Sequence, residues 1–333
     1  MYEIDFLPVG DGKDSGDAIA LRFTRPDTGR QVVVVIDAGF QDDGVELVSH
    51  IQAYYGTDTV DLAILTHPDG DHIGGMGEVV RGLTVKELWL HDIGAHGGSS
   101  LPAAAAVADL ITVAAGQGTV VEEAFAGSQA FGGAITILGP TRDYYDGLVT
   151  EQLGPASPPS TAKALVEAAR GVFDRLAGAL PVEIPFDAKE VTPRNNSSMV
   201  TLLTVDGRRS LFTADAGVPA LDRAWDAAEA LGLAGELSFV QVPHHGSRRN
   251  ASSALLDRIL GAPGAPSEKS AFVSVVAESE KHPSGRVVNA YMRRGCDVYA
   301  TAGQSKWHHH GSTLRAGWSA ATPLAPMDEV DED

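Results

Sequence analysis

Short apolar runs separated by polar, glycine-rich turns dominate the chain, and most are too short to be helices. Ile4–Val9, Asp17–Phe23 and Val32–Asp37 are rich in β-branched and aromatic side chains and are bounded by turns at Gly10–Gly16 and Pro26–Gly29. Runs of this kind predict strands. The same pattern predicts strands at Val60–Leu65, Val85–Leu90, Val120–Val121, Ala134–Leu138, Met199–Val205, Ser210–Thr213, Leu237–Val242, Phe272–Val276 and Asp297–Thr301. Helical spacing or alanine enrichment predicts helices over Val45–Tyr55, residues 101–115, Pro219–Leu231 and Ser252–Leu260. Two strand-rich halves, each with helices, predict an α/β (α+β) fold of two sheets packed face to face with helices outside.

Residues 141–190 break this rhythm. Leu153–Pro159 is rich in proline and serine, and Ala162–Leu176 carries apolar residues at helical spacing. We read 141–190 as a partly helical insertion in a single domain spanning 1–305. Residues 306–333 are then an extension ending in the acidic run Asp328–Asp333, a solvated, disordered tail. The insertion and the tail are the two candidate docking sites for a protein partner.

Composition narrows the class. The chain has 333 residues, 44% of them hydrophobic, enough for a large core. No apolar run approaches the roughly 20 residues of a membrane helix, and Met1–Phe6 shows no secretory pattern. The one cysteine, Cys296, excludes an intrachain disulfide and reads as a small core residue. These features predict a soluble cytoplasmic protein. A net charge of −19 argues against tight nonspecific binding of nucleic acid. Arg248–Arg249, Lys281, Arg286 and Arg293–Arg294 are the candidates for a local basic patch.

The chemistry concentrates in Thr66-His67-Pro68-Asp69-Gly70-Asp71-His72-Ile73-Gly74-Gly75, directly after the Val60–Leu65 strand. In an extended segment alternate side chains share a face, so His67, Asp69 and Asp71 point one way. His72 leaves on the other side, at the start of a helix that Gly74 and Gly75 allow to pack closely. Imidazoles and carboxylates together suit a divalent transition metal of the zinc or manganese kind. Three later segments place similar groups beside strands: Asp215 after Leu211–Thr213, His244-His245-Gly246-Ser247 after Val240–Val242, and Arg194-Asn195-Asn196-Ser197-Ser198 before Met199. His308–His310 reads as surface, and His50, His91 and His96 as structural.

This set resembles the metallo-β-lactamase fold superfamily, whose usual loop reads His-X-His-X-Asp-His. It is most similar to the soluble, nuclease-like hydrolase domain of the ComEC competence proteins. In that branch Asp replaces the second histidine, as Asp69 does here, and the turns Val9–Gly12 with Asp17–Ala18, Ile36–Gly39, Asn195–Val200, Phe212–Asp215, Pro243–Ser247 and Lys281–Pro283 follow in order. The resemblance runs from about residue 4 to 303, with 141–190 outside it. It implies a four-layer αββα sandwich with the site at one edge and two divalent ions, Zn2+ or Mn2+. His67 and Asp69 would hold one ion, assisted by Asn195 or Asn196, because an asparagine stands where lactam-hydrolysing members carry a third histidine. Asp71, His72 and one of His244 or His245 would hold the other, and Asp215 would bridge. Asp71, His245 and His282 are the candidate catalytic residues, the histidines as proton donors to a leaving group. Asn195, Asn196, Ser247 and Arg248 are candidates for substrate contact or support.

The expected activity is therefore metal-dependent hydrolysis. A phosphodiesterase or nuclease is favoured by the Asp-for-His loop, with a short or single-stranded substrate given the acidic charge. The alternatives are a lactamase, lactonase or thioesterase acting on a carbonyl, and a regulatory component with a vestigial site.

Overall fold

The computed structural model describes residues 1–10, 12–25, 27–154, 183, 191–264 and 268–329. The insertion helix expected within 162–176, and most of 141–190, lie outside the described residues, as do tail residues 330–333.

Two seven-stranded sheets form the centre. In the first, β1 (Tyr2–Phe6), β2 (Ala18–Thr24), β3 (Gln31–Ala38), β5 (Leu62–Ile64), β7 (Glu87–Trp89) and β8 (Val120–Glu122) follow one another in space, with β16 (Lys306–His310) outside β1. In the second, the order is β9 (Gln129–Ala130), β10 (Ile135–Gly139), β11 (Val200–Val205), β12 (Arg208–Phe212), β13 (Phe239–Gln241), β14 (Lys269–Val273) and β15 (Cys296–Ala300). A two-stranded ladder joins β4 (Thr59–Val60) to β6 (Thr84–Val85). Each large sheet is antiparallel on one side and parallel on the other, changing at β3 and at β12.

Period-two alternation sorts the central strands between two cores. Along β3, Val32, Val34 and Ile36 face the second sheet, and Val33 and Val35 face the outer helices. The layer between the sheets is aromatic: Phe239 packs against Phe6, Phe212 and Phe272 at ring separations of 5.8, 5.7 and 5.1 Å. Burying each such ring contributes about 1.5–3 kcal/mol. Outside the first sheet lie α1 (Gln41–His50), continued by a π turn to Tyr55, then α3 (Met76–Gly82) and α4 (Pro102–Gly116). Outside the second lie α6 (Val218–Ala230), α7 (Ser253–Leu260) and α8 (Gly285–Arg293). The expected four-layer sandwich is what the chain forms.

Two parts differ from expectation. Residues 306–310, expected in an extension beyond the domain, pair along the whole of β1, and the His308 ring packs 5.0 Å from the Phe239 ring. The rest of the extension returns to the second sheet, where Leu324 donates its amide to the Val298 carbonyl and Asn289 holds Met327. Within 141–190, α5 (Arg142–Leu153) buries Tyr145 and Val149 in the core outside the first sheet, so this portion belongs to the core. Among the described residues no helix is long and apolar enough to cross a membrane.

Gly75 shows how packing sets the first loop. A Cβ there would lie 2.1 Å from the Ala38 carbonyl oxygen and 2.7 Å from the Gly44 Cα. Only glycine lets the segment after the loop press against β3 and α1, as the sequence predicted.

Candidate metal centre

The functional side chains come from the carboxyl ends of parallel strands, where open α/β sheets present ligand sites. Asp37 ends β3, residues 66–72 follow β5, Asp215 follows β12, and His244–His245 follow β13. Gln241 braces them from beneath. Its Oε1 accepts from the amides of Thr213 and Ala214, and its Nε2 donates to Asp17 across the two sheets at 2.8 Å.

The first loop departs from the expected alternation. Its extended part stops at Asp69, and a helical turn, α2 (Gly70–Ile73), begins at once. The turn carries both Asp71 and His72 inward, so His72 does not leave the site. Its ring stands 4.2 Å from that of His67 and 6.0 Å from that of His245.

Asp215 divides the cluster into two sets. Its Oδ2 lies 3.8 Å from His67 Nε2 and 3.4 Å from His244 Nε2, and Asp69 Oδ2 is 3.6 Å from the same His67 nitrogen. Its Oδ1 lies 3.6 Å from His72 Nε2 and 3.9 Å from His245 Nε2, with Asp71 Oδ2 3.6 and 3.5 Å from those two nitrogens. The two histidines of the pair therefore go to different sides. His245 joins Asp71 and His72, as the sequence allowed. His244 joins His67 and Asp69, where no third imidazole was expected. Asn195 does not supply that ligand: its Oδ1 accepts from Thr192 at 2.6 Å, and its amide nitrogen faces the His244 ring.

Each imidazole is fixed through Nδ1. His72 donates to Asp37 Oδ2 at 2.7 Å, His245 to the Ser274 carbonyl at 3.0 Å, and His244 to Asn250 Oδ1 at 2.9 Å. His67 donates to Thr66 Oγ1 at 3.1 Å, whose own hydrogen goes to Asp37. All four Nε2 lone pairs consequently face the cluster, and those of His67, His72 and His245 are buried without a hydrogen-bond partner. Such anchoring of the distal nitrogen is how metal-binding histidines are oriented.

The residues fit divalent ions. Separations of 3.4–3.9 Å are too long for hydrogen bonds. They are close to the ~3.4 Å between ligands placed tetrahedrally at zinc-like bond lengths. Asp71, His72 and His245, and separately Asp17, His72 and Asp215, converge closely enough to hold one cation. The electrostatics call for positive charge. Burial opposes the charge on His245, but the nearby carboxylates of Asp215 and Asp71 outweigh it and carry the imidazole up to about 9. His72 is likewise driven well above its ordinary value against its burial, chiefly by Asp37 and Asp215. Burial would raise Asp215, yet His244, His72 and His245 hold it well below the usual carboxylate range. Backbone strain gathers here too: Asp37, Ala214, His244 and His245 all take positive φ, between 44° and 56°.

The remaining candidates divide. His282 lies 6.4 Å from the His244 ring, but burial and then the charges of His245 and His244 push it down to about 4. It is neutral at pH 7, which suits a hydrogen-bonding partner better than the proton donor expected. Ser247 caps a turn by accepting from the Arg249 amide. Asn196 keeps a buried, unpaired Oδ1 directed at Gly217. Arg248 makes no ion pair with the cluster among the described residues, and Arg293 and Arg294 are spent on Glu183, Glu329 and Asp257. The sequence passed over Asn250, Gln241, Ser274 and Arg194. Arg194 Nε stands 2.5 Å from Asp69 Oδ1. Its only signal was a basic residue opening an Asn-rich segment.

The metallo-beta-lactamase superfamily profile matches residues 27–263, and the chain belongs to that superfamily. The fold and the cluster make it a metal-dependent hydrolase of metallo-β-lactamase type. Solved structures similar to it include a metallo-β-lactamase from Hirschia baltica (15% identity, 78% of this chain and 90% of that one, TM-score 0.35). Another is the Cronobacter sakazakii enzyme with a HARLDQ motif (12%, 71% and 76%, TM-score 0.37). A third is the Rm3 metallo-β-lactamase (13%, 87% and 91%, TM-score 0.37). Identities this low say nothing of substrate. No curated protein sequence matches significantly.

Proposed function

We propose that the protein is a phosphodiesterase with two divalent ions, of the nuclease-like kind that the ComEC resemblance implies. The observation that carries it is the division of Asp215, one carboxylate oxygen toward His67 and His244 and the other toward His72 and His245. Three carboxylates among the candidate ligands make the site hard and anionic, which suits manganese as well as zinc. His67, Asp69 and His244 would hold one ion, Asp71, His72 and His245 the other. Bound there, the pair supplies Lewis acidity and a water acidic enough to attack at neutral pH. The chain supplies the rest. Asp37, Ser274, Thr66 and Asn250 fix the imidazoles before substrate arrives, so little reorganisation accompanies the reaction. Asp71, a quarter exposed and held ionised by His245 and His72 against its burial, would accept the proton of the attacking water. His282, neutral, can donate one hydrogen bond to substrate.

A second reading gains from His244. Carbonyl-hydrolysing members usually retain a third histidine, and His244 brings an imidazole to that side. Turnover separates the two readings. Manganese- or zinc-loaded protein should cleave bis-p-nitrophenyl phosphate, and Asp71→Ala should abolish cleavage with the fold intact. Loaded protein that opens a lactone or thioester while leaving the diester untouched refutes the phosphodiesterase reading.

A further inference from the structure

Among the described residues, Arg194 forms one ion pair, through Nε alone. Its buried Nε lies 2.5 Å from Asp69 Oδ1, and the other oxygen of that carboxylate is 3.6 Å from His67 Nε2. Asp69 is thus shared between the guanidinium and the cluster. Among the described residues, the two terminal nitrogens of Arg194 make no ion pair or hydrogen bond, and the side chain is 42% exposed. The buried arginines elsewhere behave otherwise. Arg294 and Arg315 spend both terminal nitrogens on protein acceptors.

A guanidinium ion-paired only at Nε leaves its outer edge as a planar fork, matched to two oxygens of a phosphate. If Arg194 merely neutralised Asp69, one N–H would suffice and a lysine would serve. Here the fork is left pointing at solvent, one carboxylate away from the first imidazole of the cluster. We propose that Arg194 anchors the substrate by binding the non-bridging oxygens of its phosphoryl group, selecting an anionic diester over a neutral ester. This rests on the phosphodiesterase reading and names the residue that would give it specificity.

The test is calorimetric titration of inorganic phosphate into manganese-loaded wild type, Arg194→Lys and Arg194→Gln, with bound metal measured in each. Loss of a charge-assisted bidentate contact should weaken phosphate binding by about tenfold or more in Arg194→Gln. Arg194→Lys should fall between, and metal content should stay equal in all three. With the diester, KM should rise in Arg194→Gln much more than kcat falls. Equal phosphate affinity in wild type and Arg194→Gln overturns the proposal. So does a loss of affinity that tracks a loss of metal, which would make Arg194 only a prop for Asp69. Arg194-dependent phosphate binding in a protein that cleaves no diester would leave the anchor standing and overturn the activity.

Discussion

Asp37 and His72, 35 positions apart, meet through a 2.7 Å hydrogen bond between a fully buried carboxylate and a fully buried imidazole. Asp37 also accepts from the Thr66 amide and hydroxyl at 2.8 and 2.6 Å. One strand-end residue therefore orients His72 directly and His67 through Thr66. Such outer partners are worth about 10–100-fold in metal affinity. Asp37→Asn should lower manganese or zinc affinity by that factor with little change in circular dichroism. Metal competition against a chromophoric chelator measures it, and unchanged affinity would show that the contact does not orient the site.

The metal-free protein should respond to alkali in a definite sense. His245 sits at about 9 in the folded chain, against about 6.5 for a free imidazole. The stability contributed by its proton is fully present below about pH 6.5 and is lost as pH rises through about 9. Tm of the metal-free protein should therefore fall across that window, while a cation replacing the proton makes the loaded protein much less sensitive. Metal binding in the same window should release protons and tighten with pH. Thermal scans of both forms from pH 6 to 9.5, with titrations in two buffers of different ionisation enthalpy, check both statements. A flat Tm for the metal-free form contradicts the first.

Much of this was legible because the relevant signals are local. Val32–Ile36 alternates between two cores, so its apolar run marks a doubly covered strand whichever way it faces. His67, Asp69, Asp71, His72, Asp215 and the histidine pair lie in short segments against strand ends, and the structure brings them all together. What sequence could not give was relative placement. Adjacent residues His244 and His245 part company only because both take left-handed backbone angles. Arg194 acquires its meaning from Asp69, a contact fixed by the sandwich and not by spacing. His308–His310 read as surface because the three histidines carry no apolar alternation, yet His308 is half-buried with Tyr2 and Phe239 beside it.

The segment after that strand carries a charge the first sheet needs. Asp5 and Glu3 on β1 are buried, and Arg315 binds Asp5 through both terminal nitrogens at 2.6 and 2.8 Å while also reaching Glu3. Its guanidinium stacks over Trp307, Trp318 and Tyr54 at 4.5, 5.1 and 5.2 Å. Removing one partner of a buried ion pair costs about 3–5 kcal/mol, because the other is left uncompensated. Arg315→Met should lose that much in urea denaturation, and Arg315→Lys should recover only part, lacking the fork. Arg315 shares no ligand with the metal cluster, so metal per folded molecule should not change. A loss under 1 kcal/mol would mean that Arg22, His50 and the Tyr55 hydroxyl already satisfy these carboxylates.

Asp69 offers the sharpest test of what sets metal choice. It stands where the superfamily's usual loop has histidine, its Oδ2 3.6 Å from His67 Nε2 and its Oδ1 on Arg194. A carboxylate at that position is a harder donor than imidazole and carries charge, which favours manganese relative to the nitrogen-rich alternative. Asp69→His would give the His67 side three imidazoles and one carboxylate, a set that favours zinc. The ratio of zinc to manganese affinity should rise, and diester cleavage with manganese should fall more than cleavage with zinc. The variant also removes the ion-pair partner that Arg194 has among the described residues, so the guanidinium is less well placed and KM for the diester should rise with either metal. Measuring both metals and both kinetic constants separates these effects. If the affinity ratio does not move, Asp69 serves Arg194 and not the ion, and the first site is built from His67, His244 and Asp215 alone.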